Sequence, residues 1–182
     1  QAVVVAEIVV TAQKRAEDVQ DVPAAISTMV GEDLEVLTTG GPDVRGLSAR
    51  VPSLVLESSF GRAFPRFYIR GLGNTDFDLN ASQPVSMVVD EVVLENPVVK
   101  GIPLFDLDRV EVLRGPQGTL FGRNTPAGVV KFETVKPSQE FDAYVRASYG
   151  TYSTTDVQAA VGGSLGGNWS GRISALYQSR SD

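Results

Sequence analysis

The hydrophobic pattern of the chain changes near residue 138. Residues 22–137 carry short apolar runs separated by Gly, Pro, Asn and Asp, whereas residues 138–182 alternate strictly between apolar and polar positions. The first pattern is typical of buried strands joined by turns, and the second of strands that are apolar on one face. Residues 1–21 are polar after a short β-branched run and show no amphipathic period, which predicts a mobile leader.

The compact part, residues 22–137, has the pattern of a small α+β domain. ISTMV at 26–30 predicts a strand, and GEDLEVL at 31–37 predicts a short helix with acids in its first turn. Asp43 is suited to cap a second helix that runs through Leu47, and Pro52 would end it. Further strands are predicted at 53–57, 66–71, 85–94, 108–114 and 128–134. We therefore expect a small mixed sheet with short helices.

The last part contains three alternating segments of about 10 residues each, a length that can cross a membrane as a strand. In 141–149 the odd positions are Phe, Ala, Val, Ala and Tyr, and the even positions are Asp, Tyr, Arg and Ser. The alternation continues over 156–165 and 169–180. It fits transmembrane strands around a polar lumen, and equally a soluble antiparallel meander with one solvated face.

Aromatic residues near the segment ends favour the membrane interpretation, because they suit an interfacial girdle. They are Tyr149, Tyr152, Trp169 and Tyr177. Three strands cannot close a barrel, so we expect further strands of the same protein beyond Asp182.

Composition narrows the possible functions. The 182 residues carry a net charge of −6, which disfavours a nucleic-acid partner. The chain has no His and no Cys, so it lacks the commonest general base and metal ligands. We expect no metal site, no cofactor and no catalytic residues. The candidate acid pairs are explained more simply as solvated carboxylates: Asp76 and Asp78, Asp90 and Glu91, and Asp106 and Asp108.

Four motifs occur in a fixed order along the chain. They are EIVVTA at 7–12, FYIRGLG at 67–73, VSMVVDEV at 85–92 and LDRVEVLRGPQGTLFGRNTPAGVVKFETVK at 107–136. Together they resemble the plug-domain signature of TonB-dependent outer-membrane receptors. The resemblance implies a leader with a TonB box at 1–21, an α+β plug domain at 22–137, and the first antiparallel strands of a transmembrane β-barrel at 138–182.

The resemblance also implies a function and a location. Such a plug gates the import of a scarce nutrient, such as a ferric siderophore, with saccharides or other organic solutes as alternatives. Its partners would be TonB of the inner-membrane energising complex, outer-membrane lipid, a small-molecule ligand and the remainder of its own barrel. The location would be the outer membrane of a Gram-negative bacterium, with the plug inside the barrel and the N-terminus in the periplasm.

A function of a different class remains open. A secreted β-rich adhesin or structural protein would explain residues 138–182, but it would not explain the ordered motifs.

The hexamer at 7–12 is the candidate TonB-binding segment. Its residues are Glu7, Ile8, Val9, Val10, Thr11 and Ala12. A β-prone segment near a chain end can add to the sheet edge of a partner through backbone hydrogen bonds. The alternative is that it forms the first strand of the domain's own sheet.

Two arginines are candidates for fastening the plug. Arg70 and Arg114 each follow a predicted strand and precede Gly. A guanidinium holds a carboxylate in bidentate fashion, and the resemblance implies that these two bind glutamates on the inner wall of the barrel. They could instead be exposed turn residues.

Loops at the pole away from the leader are the candidate ligand contacts. Their aromatic side chains could cover a ligand, and their polar side chains could recognise charge or hydroxyl groups. The candidates are Phe60, Arg62, Asn74, Thr75, Asp76, Phe77 and Asn96. Any one of them could equally be an ordinary solvated loop residue.

Overall fold

The structure, a computed structural model, describes residues 8–39, 43–76, 78 and 80–181. The chain divides into two compact units. The first takes in the described residues up to Pro103 together with Arg109–Glu133, and the second takes in Leu104–Asp108 and the described residues from Thr134 onward. The strip Leu104–Asp108 is distant in sequence from the rest of the second unit, so no local pattern could have indicated that it belongs there.

Short strands make up most of the regular structure. In chain order they are β1 (Val9–Val10), β2 (Glu17–Asp18), β3 (Ala25–Val30), β4 (Leu54–Glu57), β5 (Arg66–Ile69), β6 (Val85–Val89), β7 (Val92–Leu94), β8 (Leu107–Arg114), β9 (Gly128–Thr134), β10 (Asp142–Gly150), β11 (Thr154–Gly166) and β12 (Trp169–Ser179). The predicted strands of the compact part are confirmed to within two residues, with the exception of 85–94.

The helices are short, as predicted. They are α1 (Glu32–Thr39), α2 (Gly118–Phe121) and two 3₁₀ helices, Val44–Ala49 and Val99–Gly101. Asp43 caps the first 3₁₀ helix, because its Oδ1 accepts a hydrogen bond of 2.9 Å from Arg45 N. This helix ends at the C-cap Arg50, before Pro52. The predicted cap and stop are therefore confirmed, while the tighter 3₁₀ geometry is not visible in the sequence.

A mixed five-stranded sheet forms the centre of the first unit. Its order is β3-β8-β9-β6-β7. The β3–β8 and β6–β7 pairs are antiparallel, and the β6–β9 pair is parallel. Apolar side chains from the inner strands are fully buried, among them Val88, Val110, Val112, Val129 and Phe132. The mixed α+β fold expected for this part is therefore present.

The predicted strand at 85–94 is wrong, because the chain reverses within it. Asp90 and Glu91 have φ of 46° and 69° and form the turn of the β6–β7 hairpin. Positive φ at both central residues is the geometry of a tight hairpin turn, which usually contains Asn or Gly. The continuous apolar run concealed the turn, so these two acids lie in a turn and not on the faces of a strand.

The expectation of an unpacked leader is wrong for residues 8–21. β1 pairs antiparallel with β2 in a two-stranded sheet. Val10 and Ala12 are buried in an apolar cluster with Val88, Leu113 and other core residues. The apolar run of the leader is too short to show an amphipathic period, so the sequence did not indicate this packing.

The second unit is built on a three-stranded antiparallel sheet in the order β10-β11-β12. Residues paired across the strands share a face, as in Ala147↔Val157 and Val157↔Tyr177. Arg172 on β12 donates to both Asp106 carboxylate oxygens at 2.6 and 2.9 Å. It also donates to Asp142 at 2.7 Å, so this side chain joins the strip 104–108 to the sheet.

Burial in this sheet is inverted relative to a water-soluble protein. Val145 and Ile173 on the apolar face are 78% and 75% exposed. Asp156 and Gln158 on the polar face are only 8% and 4% exposed. Asp156 Oδ2 accepts a 2.6 Å hydrogen bond from Gln178 Nε2 on the paired strand. Across the described residues, no helix is long and apolar enough to cross a membrane.

Candidate functional site

The first unit has two poles, which the β6–β7 hairpin defines. In its register Met87 pairs with Leu94 and Val89 pairs with Val92. The loop before β6 and the loop after β7 therefore lie at one end, which we call the loop pole. The Asp90–Glu91 turn lies at the other end, which we call the turn pole.

The predicted TonB-binding segment lies at the turn pole, over β8 and β9. Thr11 N donates to Glu111 Oε1 at 2.7 Å, and Thr11 Oγ1 lies 3.3 Å from the same oxygen. Lys131 Nζ donates to Thr11 Oγ1 at 2.8 Å and to Thr11 O at 3.3 Å. The same Nζ lies 2.5 Å from Glu91 Oε1, in the hairpin turn. Residues 8–12 are therefore docked on the sheet of the first unit.

A buried charge cluster supports this contact. Arg109 Nε donates to Glu111 Oε1 at 2.9 Å, and Lys131 Nζ lies 2.9 Å from Glu133 Oε1. The side chains of Glu111 and Lys131 are fully buried. Burial lowers the pKa of Lys131, but hydrogen bonds to Glu133 and Glu91 outweigh it, so this pKa is raised. Lys131 thus remains a cation and Thr11 contacts opposite charges on its two sides.

Several predicted ligand residues lie in loops at the loop pole. Asn96 follows β7, and its Oδ1 accepts a 3.0 Å hydrogen bond from Val98 N. A Cβ on Gly101 would lie only 2.4 Å from Arg62 O, so the loop that carries Phe60 and Arg62 packs beside the segment after β7. Phe60 is exposed, and Arg62 Nε lies 3.7 Å from Asp43 Oδ2.

The remaining predicted ligand residues lie in the loop before β6. Asn74 Nδ2 donates to Ser82 O at 2.8 Å, and Asn74 Oδ1 accepts from Asp76 N at 2.9 Å. Thr75 and Asp76 are exposed. The amide of Asn74 is thus used to shape its own loop. Phe77, like Glu7 of the hexamer, lies outside the described residues.

A cavity of about 410 Å³ lies beside this loop, at the start of β6 and β9. Gln83 and Asn124 line it together with Asn74. Gln83 is buried, and its Nε2 has no hydrogen-bond partner among the residues that the structure describes. A buried amide donor without a partner carries a desolvation cost.

Lys100, in the second 3₁₀ helix, is a further buried polar side chain near the loop pole. Its Nζ donates to Val85 O at 3.2 Å and lies 5.9 Å from the centre of the Phe67 ring. Burial lowers its pKa to about 8, while the charge of Glu95 acts in the opposite direction. A carbonyl and an aromatic face compensate the cation only partly.

The two candidate locking arginines contact adjacent carbonyls, Arg114 through its side chain and Arg70 through its backbone N–H. Arg114 Nη1 donates to Pro52 O at 3.1 Å, and Arg70 N donates to Ser53 O at 2.9 Å. Arg114 is half-buried and also donates to Ile26 O at 3.2 Å, whereas Arg70 is exposed with φ of 53°.

Gly128 permits this arrangement. A Cβ at that position would lie 2.2 Å from Leu113 O and 2.8 Å from Ile69 Cδ1, the residues that precede the two arginines.

The comparisons with known proteins identify the family. Residues 18–129 match the family described as the TonB-dependent Receptor Plug Domain. The chain belongs to this family. The pesticin receptor of Yersinia pestis is 30% identical over 139 residues, which are 76% of this chain and 20% of that protein. A vitamin B12 transporter of Photobacterium profundum is 25% identical over 167 residues, which are 91% of this chain and 27% of that protein.

The solved structures agree in fold. The ferric yersiniabactin uptake receptor from Yersinia pestis matches with a TM-score of 0.76 at 21% identity, over 84% of this chain and 24% of that one. The chain thus spans about a quarter or less of the length of most relatives it matches. As a plug domain of this family, it lies in the outer membrane of a Gram-negative bacterium.

Sequence reasoning missed several residues that matter in this plug. Glu111 and Lys131 lie within apolar strands, where a charged residue at a buried position signals a partner. Gln83 and Pro84 precede a buried strand, and Lys100 follows two valines. In each case the signal is a polar residue inside or beside a buried run, which indicates burial but not the partner.

Proposed function

We propose that the plug gates a TonB-dependent receptor that imports a scarce nutrient such as a ferric siderophore. The observation that supports the proposal is the position of the candidate ligand loops and of residues 8–12 at opposite poles of one sheet. Candidate ligand loops lie at the loop pole, and the docked segment 8–12 lies at the turn pole. A ligand at the first pole can thus influence exposure at the second through β6 and β9. TonB would then pair with residues 7–12 by strand addition.

Residues at the loop pole would contact the ligand. The exposed members of the described set are Phe60, Arg62, Thr75, Asp76 and Asn96, whereas Asn74 is half-buried and bonded within its own loop. The mixture of an aromatic ring, a cation and an anion suits a polar organic chelate. Another organic solute, such as a saccharide or a corrinoid, is the second candidate, because the relatives include vitamin B12 transporters.

The sheet β10-β11-β12 would form the first strands of the transmembrane barrel. Its exposed apolar face and its buried polar face suit lipid on one side and a polar interior on the other. Under this proposal the plug occupies 22–137 and the barrel strands occupy 138–182. Arg70 and Arg114 would then bind carboxylates on the barrel wall.

Uptake by the complete receptor that contains this chain tests the proposal. A strain without its own iron receptors would express it and would be given ferric catecholate, hydroxamate and phenolate siderophores labelled with radioactive iron. Cyanocobalamin and oligosaccharides would be tested in parallel. We expect energy-dependent uptake of one siderophore class that disappears in a TonB-deficient strain. Uptake that continues without TonB would refute the gating function, and uptake of cyanocobalamin alone would favour the second candidate.

A further inference from the structure

The contacts of Thr11 are unusual for a residue near a chain end. Its N–H and hydroxyl approach Glu111 Oε1, while its hydroxyl and carbonyl accept from Lys131 Nζ. Two charged side chains, both fully buried, therefore engage every polar group of this residue. Arg109 Nη2 also lies 3.4 Å from the hydroxyl. The flanking side chains of Val10 and Ala12 are buried as well.

This docking competes directly with strand addition. A segment that adds to the edge of another sheet must offer its backbone N–H and C=O groups to that sheet. In the plug, the N–H of Thr11 is bonded to Glu111, and its C=O accepts from Lys131 Nζ and from Lys14 N. Hydrogen bonds to charged groups are stronger than neutral ones, so the segment is held more firmly than by backbone pairing with β2 alone.

We propose that Thr11, Glu111 and Lys131 form a latch that holds residues 8–12 on the plug and limits their exposure to an edge-strand partner. Glu111 and Lys131 act as positioning residues. Lys131 also contacts Glu91 in the β6–β7 turn, so movement of that hairpin changes the latch directly. The identification of the partner as TonB rests on the proposed function, whereas the latch rests only on these contacts.

Amide hydrogen exchange of the complete receptor without ligand tests the latch. Thr11→Val keeps the size and β-branching of the side chain but removes the hydroxyl that both charged groups contact. Thr11→Ser keeps the hydroxyl and is the matched control. We expect exchange of residues 8–13 to become about tenfold faster in Thr11→Val, the effect of losing a charge-assisted hydrogen bond, and to stay near the wild-type rate in Thr11→Ser.

The location of the change separates a latch from a general structural role. Peptides that cover β6 and β9 should exchange at the wild-type rate in both variants. Wild-type exchange of residues 8–13 in Thr11→Val, equal acceleration in both variants, or acceleration that spreads to β6 and β9 would each overturn the latch.

Binding of the purified periplasmic domain of TonB is the second measurement. Thr11→Val should bind it more tightly than wild type when no ligand is present. Faster local exchange without tighter binding would leave the latch in place and would refute the TonB-binding role of the segment. The two proposals can therefore fail separately.

Discussion

Replacement of Gly128 by Ala should destabilise the plug through one close backbone approach. The added Cβ would lie 2.2 Å from Leu113 O, where an ordinary contact needs 3.4 Å or more. It would also lie 2.8 Å from Ile69 Cδ1. Leu113 O belongs to the backbone of a buried strand, so relief requires β8 and β9 to separate. Overpacking of this kind costs about 1–3 kcal/mol.

The backbone conformation adds to this cost. Gly128 has φ of +152°, a region that side chains with a Cβ rarely adopt, and such strain costs about 1–3 kcal/mol. Gly115→Ala is the matched control, because its φ of +107° gives similar strain while nothing lies within 4 Å of its Cβ position. We therefore expect a loss of about 2–6 kcal/mol for Gly128→Ala and about 1–3 kcal/mol for Gly115→Ala.

Amide hydrogen exchange of β8 and β9 peptides in the complete receptor measures these opening free energies. Gly128→Ala should lose more than Gly115→Ala, because only the first variant forces two strands apart. Equal losses would mean that backbone strain alone accounts for both glycines, and the argument from the close approach would be refuted.

Three further predictions concern single side chains. Val9→Pro should abolish uptake without affecting ligand binding, because Pro lacks the N–H that strand addition needs; lost binding in a folded receptor would contradict it. Burial lowers the pKa of Lys100 from 10.5 to about 8, so as the pH rises the folded plug loses this proton before the unfolded chain does. The free energy of unfolding should therefore rise by about 3 kcal/mol between pH 8 and 10.5. Hydrogen exchange corrected for pH should show this rise in wild type but not in Lys100→Met. Arg70→Ala and Arg114→Ala should each raise antibiotic entry in TonB-deficient cells at matched receptor levels, because an unpaired buried carboxylate costs about 3–5 kcal/mol. The effects of the two substitutions should be non-additive in the double variant. Entry equal to that of an Arg45→Ala control would make both arginines ordinary turn residues.

The strands of the plug could be predicted from the sequence because each is a short apolar run bounded by turn residues. Asp43 could be predicted as a cap because an aspartate just before a helix accepts a hydrogen bond from a backbone N–H of the first turn. The reversal at Asp90–Glu91 could not, because two acids without Gly or Asn give no clear hairpin signal. Local patterns therefore sufficed wherever the structure depends on neighbours in sequence.

The candidate site could be predicted only in part, because its contacts are distant in sequence. Thr11 meets Glu111 and Lys131 across 100 and 120 positions. No residue near Thr11 in sequence indicates these partners. A charged residue in a buried strand does not by itself indicate which residue it pairs with. The arginines are similar, since their approach to residues 52–53 depends on the sheet and on Gly128.

The chemistry of the turn pole determines how residues 8–12 can leave the plug. An apolar contact weakens gradually as surface is exposed, but Glu111 and Lys131 lose a partner outright when Thr11 moves away. Glu111 and Lys131 would then remain buried with fewer hydrogen bonds until water reached them, and partly opened states would be costly. The segment should therefore change between docked and free states with little in between. Such two-state behaviour suits the proposed gating, in which a ligand at the opposite pole would release the segment.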